Sequence, residues 1–123
     1  MSVPQPILVL VTAGSAESAE SIARALVSER LAACVNVLPG VRSIYRWQGE
    51  IADDSEWLLV IKSERSRFAE LEARVRALHS YAVPEVVAID LVAGSKPYLD
   101  WLLGEVKPAT SRLPANRAPV PRS

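Results

Sequence analysis

The order of apolar patterns along the chain predicts an α+β fold of the ferredoxin-like, split βαβ type: β-α-β-β-α-β plus a short C-terminal helix. Three observations carry this. Two stretches with helical spacing each join strand-like runs, as crossovers do. Two long strand-like runs follow one another with only Gln48-Gly49 between them. Half of the 123 residues are hydrophobic, enough for one core between an antiparallel sheet and helices on one of its faces.

Each element has its own signal. "ILVLVTA", Ile7–Ala13, is a continuous aliphatic and β-branched run, the pattern of a strand covered on both faces. Gly14 and Ser15 stop it, and Ser15 suits an N-cap. Ala19, Ile22, Ala23 and Leu26 then recur at helical spacing, which places a helix over about Ala16 to Glu29. In "AACVNVLPGVRSIYRWQGEIADDSEWLLVIK" two strands turn at Gln48-Gly49, and Pro39-Gly40 marks a bulge in the first. Phe68, Leu71, Val75 and Leu78 form the clearest helical stripe. Pro84 bars that helix from continuing and biases Val83 toward extended backbone. "EVVAIDLV" is the fourth strand, and Ser95 caps a last helix through Tyr98, Trp101 and Leu102, with Pro97 in its first turn. Residues 1–107 are expected to form a single domain. Residues 108–123 carry four prolines and no periodicity, the composition of a flexible tail.

Charge and motifs exclude several functions. Fourteen basic and fourteen acidic residues give zero net charge, so no broad nucleic-acid footprint is expected. The apolar runs fall far short of the ~20 residues of a membrane span. One cysteine, Cys34, cannot form an internal disulfide, which points to the cytoplasm, and among small apolar residues it suits plain packing. "TAGSAESAE" after the first strand lacks the glycines and lysine of a phosphate loop, and has no arginine for acyl-phosphate hydrolysis. There is no Gly-x-Ser-x-Gly elbow, and no central-strand aromatic to stack an RNA base. The chain is therefore not expected to be an enzyme.

The hairpin is long for its body. From Ala32 to Trp47 it would extend ~50 Å, whereas a domain of this size has a diameter of roughly 35 Å. Its tip carries Ile44, Tyr45, Trp47 and Ile51, an apolar patch suited to a partner. A homo-oligomer whose hairpins complete one another's sheets is expected, the alternative being a tip folded back over its own core.

His79 is the only histidine. It is either a ligand or acid/base group, or a helix-end residue whose ring bonds the last carbonyls. Glu85 either shares its site or begins the next strand in solvent. Asp53, Asp54 and Glu56 with Glu50 are expected to be solvated, with Arg42 and Arg46 opposite as pairing partners.

"LAACVNVLPGVRSIYRWQGEI", "VIKS", "HSYAVPE" and "YLDWL" resemble, in order and spacing, the CutA divalent-cation tolerance family over roughly residues 7–104. The resemblance implies a homotrimer with interlocking hairpins, a role in tolerance to divalent metal ions, and copper or another divalent cation as the candidate metal. Some members carry a cysteine where this chain has Val11, and paired histidines where it has Leu78 and His79, so His79 is the one metal-ligand candidate. The family motifs also imply a pocket between subunits near Trp47, Lys62, His79, Tyr81 and Glu85. In it Lys62 would neutralise Glu85 or an anionic ligand. The alternatives are a regulatory binder of a small anion or protein partner, resembling the PII proteins, and a purely structural trimeric scaffold.

Overall fold

The structure is a computed structural model describing residues 3–108. The expected tail from 109 onward lies outside the described residues. β1 (Pro6–Ala13) leads to α1 (Ala16–Ser28), the hairpin of β2 (Cys34–Trp47) and β3 (Glu50–Glu64), α2 (Phe68–Leu78), β4 (Val87–Asp90) and α3 (Lys96–Glu105). The four strands form one sheet in the order β2-β3-β1-β4, and all three pairings are antiparallel. This is the expected split βαβ arrangement.

Local chemistry sets the element ends. The Ser15 hydroxyl accepts from the Ser18 N–H at 3.1 Å, capping α1. At its other end Arg30 adopts φ 61. The Leu31 and Arg30 N–H groups donate to Leu26 and Val27 carbonyls at 2.9 and 3.1 Å, a Schellman closure. Gln48 and Gly49 both have positive φ, 50 and 84, which makes the tight primed turn that matches strand twist. Two expectations shift. Ser95 stands at the N-cap of α3 but makes no side-chain cap bond, and Pro97 in the first turn needs none. β4 is shorter than "EVVAIDLV", because Val86 packs against the core instead of joining the ladder.

The core lies between the sheet and α1 and α2. Ile7, Val9, Val11 and Ala13 of β1 and Leu59 and Ile61 of β3 are buried there against Ala19, Ile22, Leu26, Leu71 and Val75. The alternate residues of each strand point the other way. Strand register aligns them in rungs: Ile89, Leu8, Lys62 and Cys34; Val87, Leu10, Val60 and Asn36; Thr12, Leu58 and Leu38. This face is most open at β4, where Val87 and Ile89 are 48% and 53% exposed; Leu8, Leu10, Leu58 and Val60 are half-buried, and α3 lies close to β1 and β3. The sequence made β1 apolar on both faces, and one chain buries one of them fully and the other only in part.

Candidate functional site: an acidic and aromatic cavity beside the hairpin

The bulge in β2 decides what faces the cavity. Up to Leu38 the even-numbered residues of β2 pair with even-numbered residues of β3; after it, Val41, Ser43, Tyr45 and Trp47 do. Gly40, at φ 77, supplies the left-handed backbone of this one-residue slip. A one-residue slip exchanges the two faces of a strand. Tyr45 and Trp47 thereby stand beside Asp54 and Glu56, while Arg42 and Arg46 are turned to the other side. There Arg42 grips Asp53 with two parallel bonds of 2.9 and 2.6 Å, the pairing expected for it. That contact raises the Arg42 pKa and lowers that of Asp53.

The cavity has a volume of about 670 Å³. Its walls are Ser43, Ile44, Tyr45, Trp47, Asp54 and Glu56 of the hairpin, Thr12 at the end of β1, and Tyr81 to Val83 with Glu85 of the segment after α2. Three carboxylates and three aromatic rings line it, and among the described residues no lysine, arginine or histidine does. Glu56 was expected in solvent with its acidic neighbours but is only 6% exposed. Its carboxylate accepts the Tyr81 hydroxyl at 2.8 Å, and Asp54 accepts that of Tyr45 at 2.6 Å. Gly14 makes room for this: a Cβ there would sit 2.9 Å from the Tyr81 oxygen.

Burial and the bond to Glu56 push the Tyr81 phenol up to about 12, against ~10 for an unfolded tyrosine. The folded state thus favours the neutral phenol. Its contribution to stability is whole below pH ~10 and fades as pH rises toward about 12. A Tyr81→Phe variant is expected to show a flatter alkaline limb in a plot of melting temperature against pH. Parallel limbs for both proteins above pH ~10 would show that the phenol contributes nothing there.

His79 stands just behind this wall. It is 8% exposed, and its ring lies 4.5 Å from that of Tyr81. As an α2 end it contributes backbone, its N–H donating to the Val75 carbonyl at 2.8 Å. The expected bond from ring to helix carbonyls is replaced by one across the fold: Nε2 lies 2.7 Å from the Thr12 carbonyl. Nδ1 accepts the Tyr81 N–H at 3.1 Å. A carbonyl only accepts and an amide N–H only donates, so the proton must be on Nε2. Neither ring nitrogen then has a lone pair to offer a metal.

Of the residues expected to share a pocket, Trp47, Tyr81 and Glu85 are brought together and Lys62 is not. Lys62 lies on the open sheet face, with Nζ on the Asn36 side-chain oxygen and 4.0 Å from Cys34 Sγ. The expected partnership with Glu85 is absent because the β2–β3 register puts Cys34 directly opposite Lys62. Sequence inspection missed Tyr45, Asp54 and Glu56 as wall residues. The bulge at Pro39-Gly40 was the available signal, since the slip it causes selects them. Among the described residues no three His, Cys, Asp or Glu side chains converge as metal ligands. Also among the described residues, no helix is long and apolar enough to cross a membrane.

The sequence profile of the CutA1 divalent ion tolerance protein family matches residues 7–105. The divalent-cation tolerance protein CutA of Thermus thermophilus is 56% identical over 95 residues, covering 77% of this chain and 92% of that protein. The chloroplastic protein CutA of Arabidopsis thaliana is 46% identical over 96 residues, which is 78% of this chain and 53% of that longer protein. The solved structure of the Thermus thermophilus divalent cation tolerance protein is similar at a TM-score of 0.81 and 52% identity, covering 83% of this chain and 99% of that one. A crystal structure of CutA from Xylella fastidiosa gives a TM-score of 0.82 at 42% identity, over 84% of this chain and 99% of that one. Sequence and fold agree over one continuous span holding every strand and helix described above, and the chain belongs to the CutA1 divalent ion tolerance family.

Proposed function

We propose that this chain acts, without catalysing a reaction, as a homotrimer in the response to divalent metal ions, and that the cavity beside the hairpin is its ligand cleft at the subunit boundary. The observation that carries this reading is the incompletely covered sheet face, with Leu8, Leu10, Leu38, Leu58, Val60, Val87 and Ile89 in register across all four strands and Leu38, Val87 and Ile89 exposed. An apolar face of this kind is suited to a second copy. The hairpin tip, with Ile44 and Ile51 64% and 65% exposed, supplies a further contact. Copper or another divalent cation is the candidate metal. A site for it takes donors from more than one chain, since among the described residues of one no three donors converge. The cytoplasm suits the free Cys34, and residues 1–107 act as one domain. A small anion is the weaker candidate for the cleft, because its walls carry three carboxylates and no base.

Sedimentation velocity at micromolar concentration is expected to give three chain masses. Copper or zinc added to that species is expected to raise its melting temperature, as a ligand of the folded state must. A monomer at that concentration would sink the assembly. A trimer whose melting no divalent ion shifts would leave only a scaffold.

A further inference from the structure

We propose that the cavity recognises an organic cation, an alkylammonium or guanidinium group, with its charge held between Glu56 and Asp54 and its carbon skeleton against Tyr45, Trp47 and Tyr81. This names the ligand class of the cleft and so rests on reading the cavity as the ligand site.

The first observation is a buried carboxylate without a counter-charge. Glu56 is 6% exposed, its bonded partner is the neutral Tyr81 hydroxyl, and it makes no ion pair with any described residue. Among the described residues no basic side chain lines the cavity. A carboxylate withdrawn from water is costly unless a cation meets it, and no described residue of this chain supplies one, which leaves the place to a ligand.

The second observation is what kind of cation fits. A bare divalent ion needs several oxygens converging at ~2.0–2.6 Å. No such group forms among the described residues, and Asp54 and Glu56 each already accept a phenol O–H. A cavity of about 670 Å³ is also far larger than one dehydrated ion. It lies within the ~300–1,000 Å³ of small-molecule sites. Beside Ile44, Val83 and smaller residues its walls carry three rings: Tyr45, Trp47 and Tyr81 are 41%, 48% and 37% exposed. Ring faces attract weakly hydrated organic cations. They offer little to a tightly hydrated metal ion. Carboxylates supply charge recognition and rings supply affinity for the skeleton, which is the division of labour an alkylammonium or guanidinium requires.

The β2 bulge explains how the site is kept free of internal competition. By turning Arg42 and Arg46 to the other side of the hairpin, it prevents the chain's own guanidinium groups from filling the place next to Glu56.

Isothermal titration of the assembled full-length protein with agmatine and with tetramethylammonium tests the proposal, with equimolar sodium chloride as the ionic-strength control. Both probes are expected to bind and sodium is not. Glu56→Gln and Trp47→Ala are each expected to weaken agmatine about tenfold. Trp47 is half-exposed in the single chain and makes no bond to Glu56, so its variant, once shown by sedimentation to keep the wild-type assembly, keeps the test decisive if Glu56→Gln does not fold. Absence of binding by either probe at millimolar concentration overturns the inference and points to a neighbouring chain's side chain as the occupant. Unchanged affinity in a folded variant of Glu56 or Trp47 overturns it too. Sedimentation of the same samples separates the two proposals: loss of the trimer sinks the assembly whatever the isotherm, and a trimer deaf to both probes sinks only the cation.

Discussion

A Leu10→Asp variant is expected to sediment as a monomer and to melt about 10 °C or more below the wild type. Leu10 occupies the middle rung of the open sheet face, directly between Val60 on β3 and Val87 on β4. Its neighbours Val9 and Val11 point into the core, so the substitution leaves the interior of the chain untouched. In an isolated chain Leu10 is half-buried, so the carboxylate still reaches water and costs far less than a fully buried charge, beside a loss of strand propensity well under ~1 kcal/mol. Covered by a second copy, the same group becomes a charge without a partner, and such burial costs several kcal/mol. The size of the effect therefore measures whether the face is covered. Assembly also couples melting to protein concentration, so the wild type should melt higher as it is concentrated and the variant should not. A variant that still sediments as a trimer, with melting within about 2 °C of wild type, would locate the contact surface elsewhere.

The same face shows what could be read from the sequence and what could not. "ILVLVTA" announced a strand apolar on both sides, and Val9 and Val11 inward with Leu8 and Leu10 outward bear that out. The helices were legible because each stripe repeats every three or four residues, a signal contained in a dozen neighbours. The hairpin was legible from Gln48-Gly49 for a related reason: a tight turn needs positive φ at adjacent positions, and the local sequence permits it. The cavity is built otherwise. Glu56 meets Tyr81 across 25 positions, and His79 meets Thr12 across 67. Neither pairing has a local signature, since each depends on strand register and on where a loop lands. Lys62 illustrates the error this allows. As a cation near the end of an apolar strand it looked available to Glu85, but it stands six residues along β3 from Glu56, at the far end of the same face, where Cys34 and Asn36 are its neighbours. The bulge compounds the difficulty, because one inserted residue decides whether arginines or aromatics face Glu56.

His79→Ala is expected to lower stability by about 2–4 kcal/mol while leaving any copper affinity of the trimer unchanged. The imidazole bridges two backbone groups that have no strand to pair with. β4 stops pairing with β1 at Leu10, and the ring meets the Thr12 carbonyl two residues further along. Its other nitrogen accepts the N–H of Tyr81, which fixes the segment whose hydroxyl reaches Glu56. Alanine removes both partners at once and leaves a largely buried carbonyl and an amide unsatisfied, each worth roughly 1–3 kcal/mol. Glutamine in place of His79 retains a donor that can reach Thr12 and should recover part of the loss. A metal ligand behaves in the opposite way: its removal abolishes binding, and stability in the absence of metal stays near wild type. Chemical denaturation of the metal-free protein, paired with copper titration, separates the two roles. Loss of copper binding in His79→Ala with an unchanged denaturation midpoint would make the histidine a ligand and dismiss its role as the joint between β1 and the cavity wall.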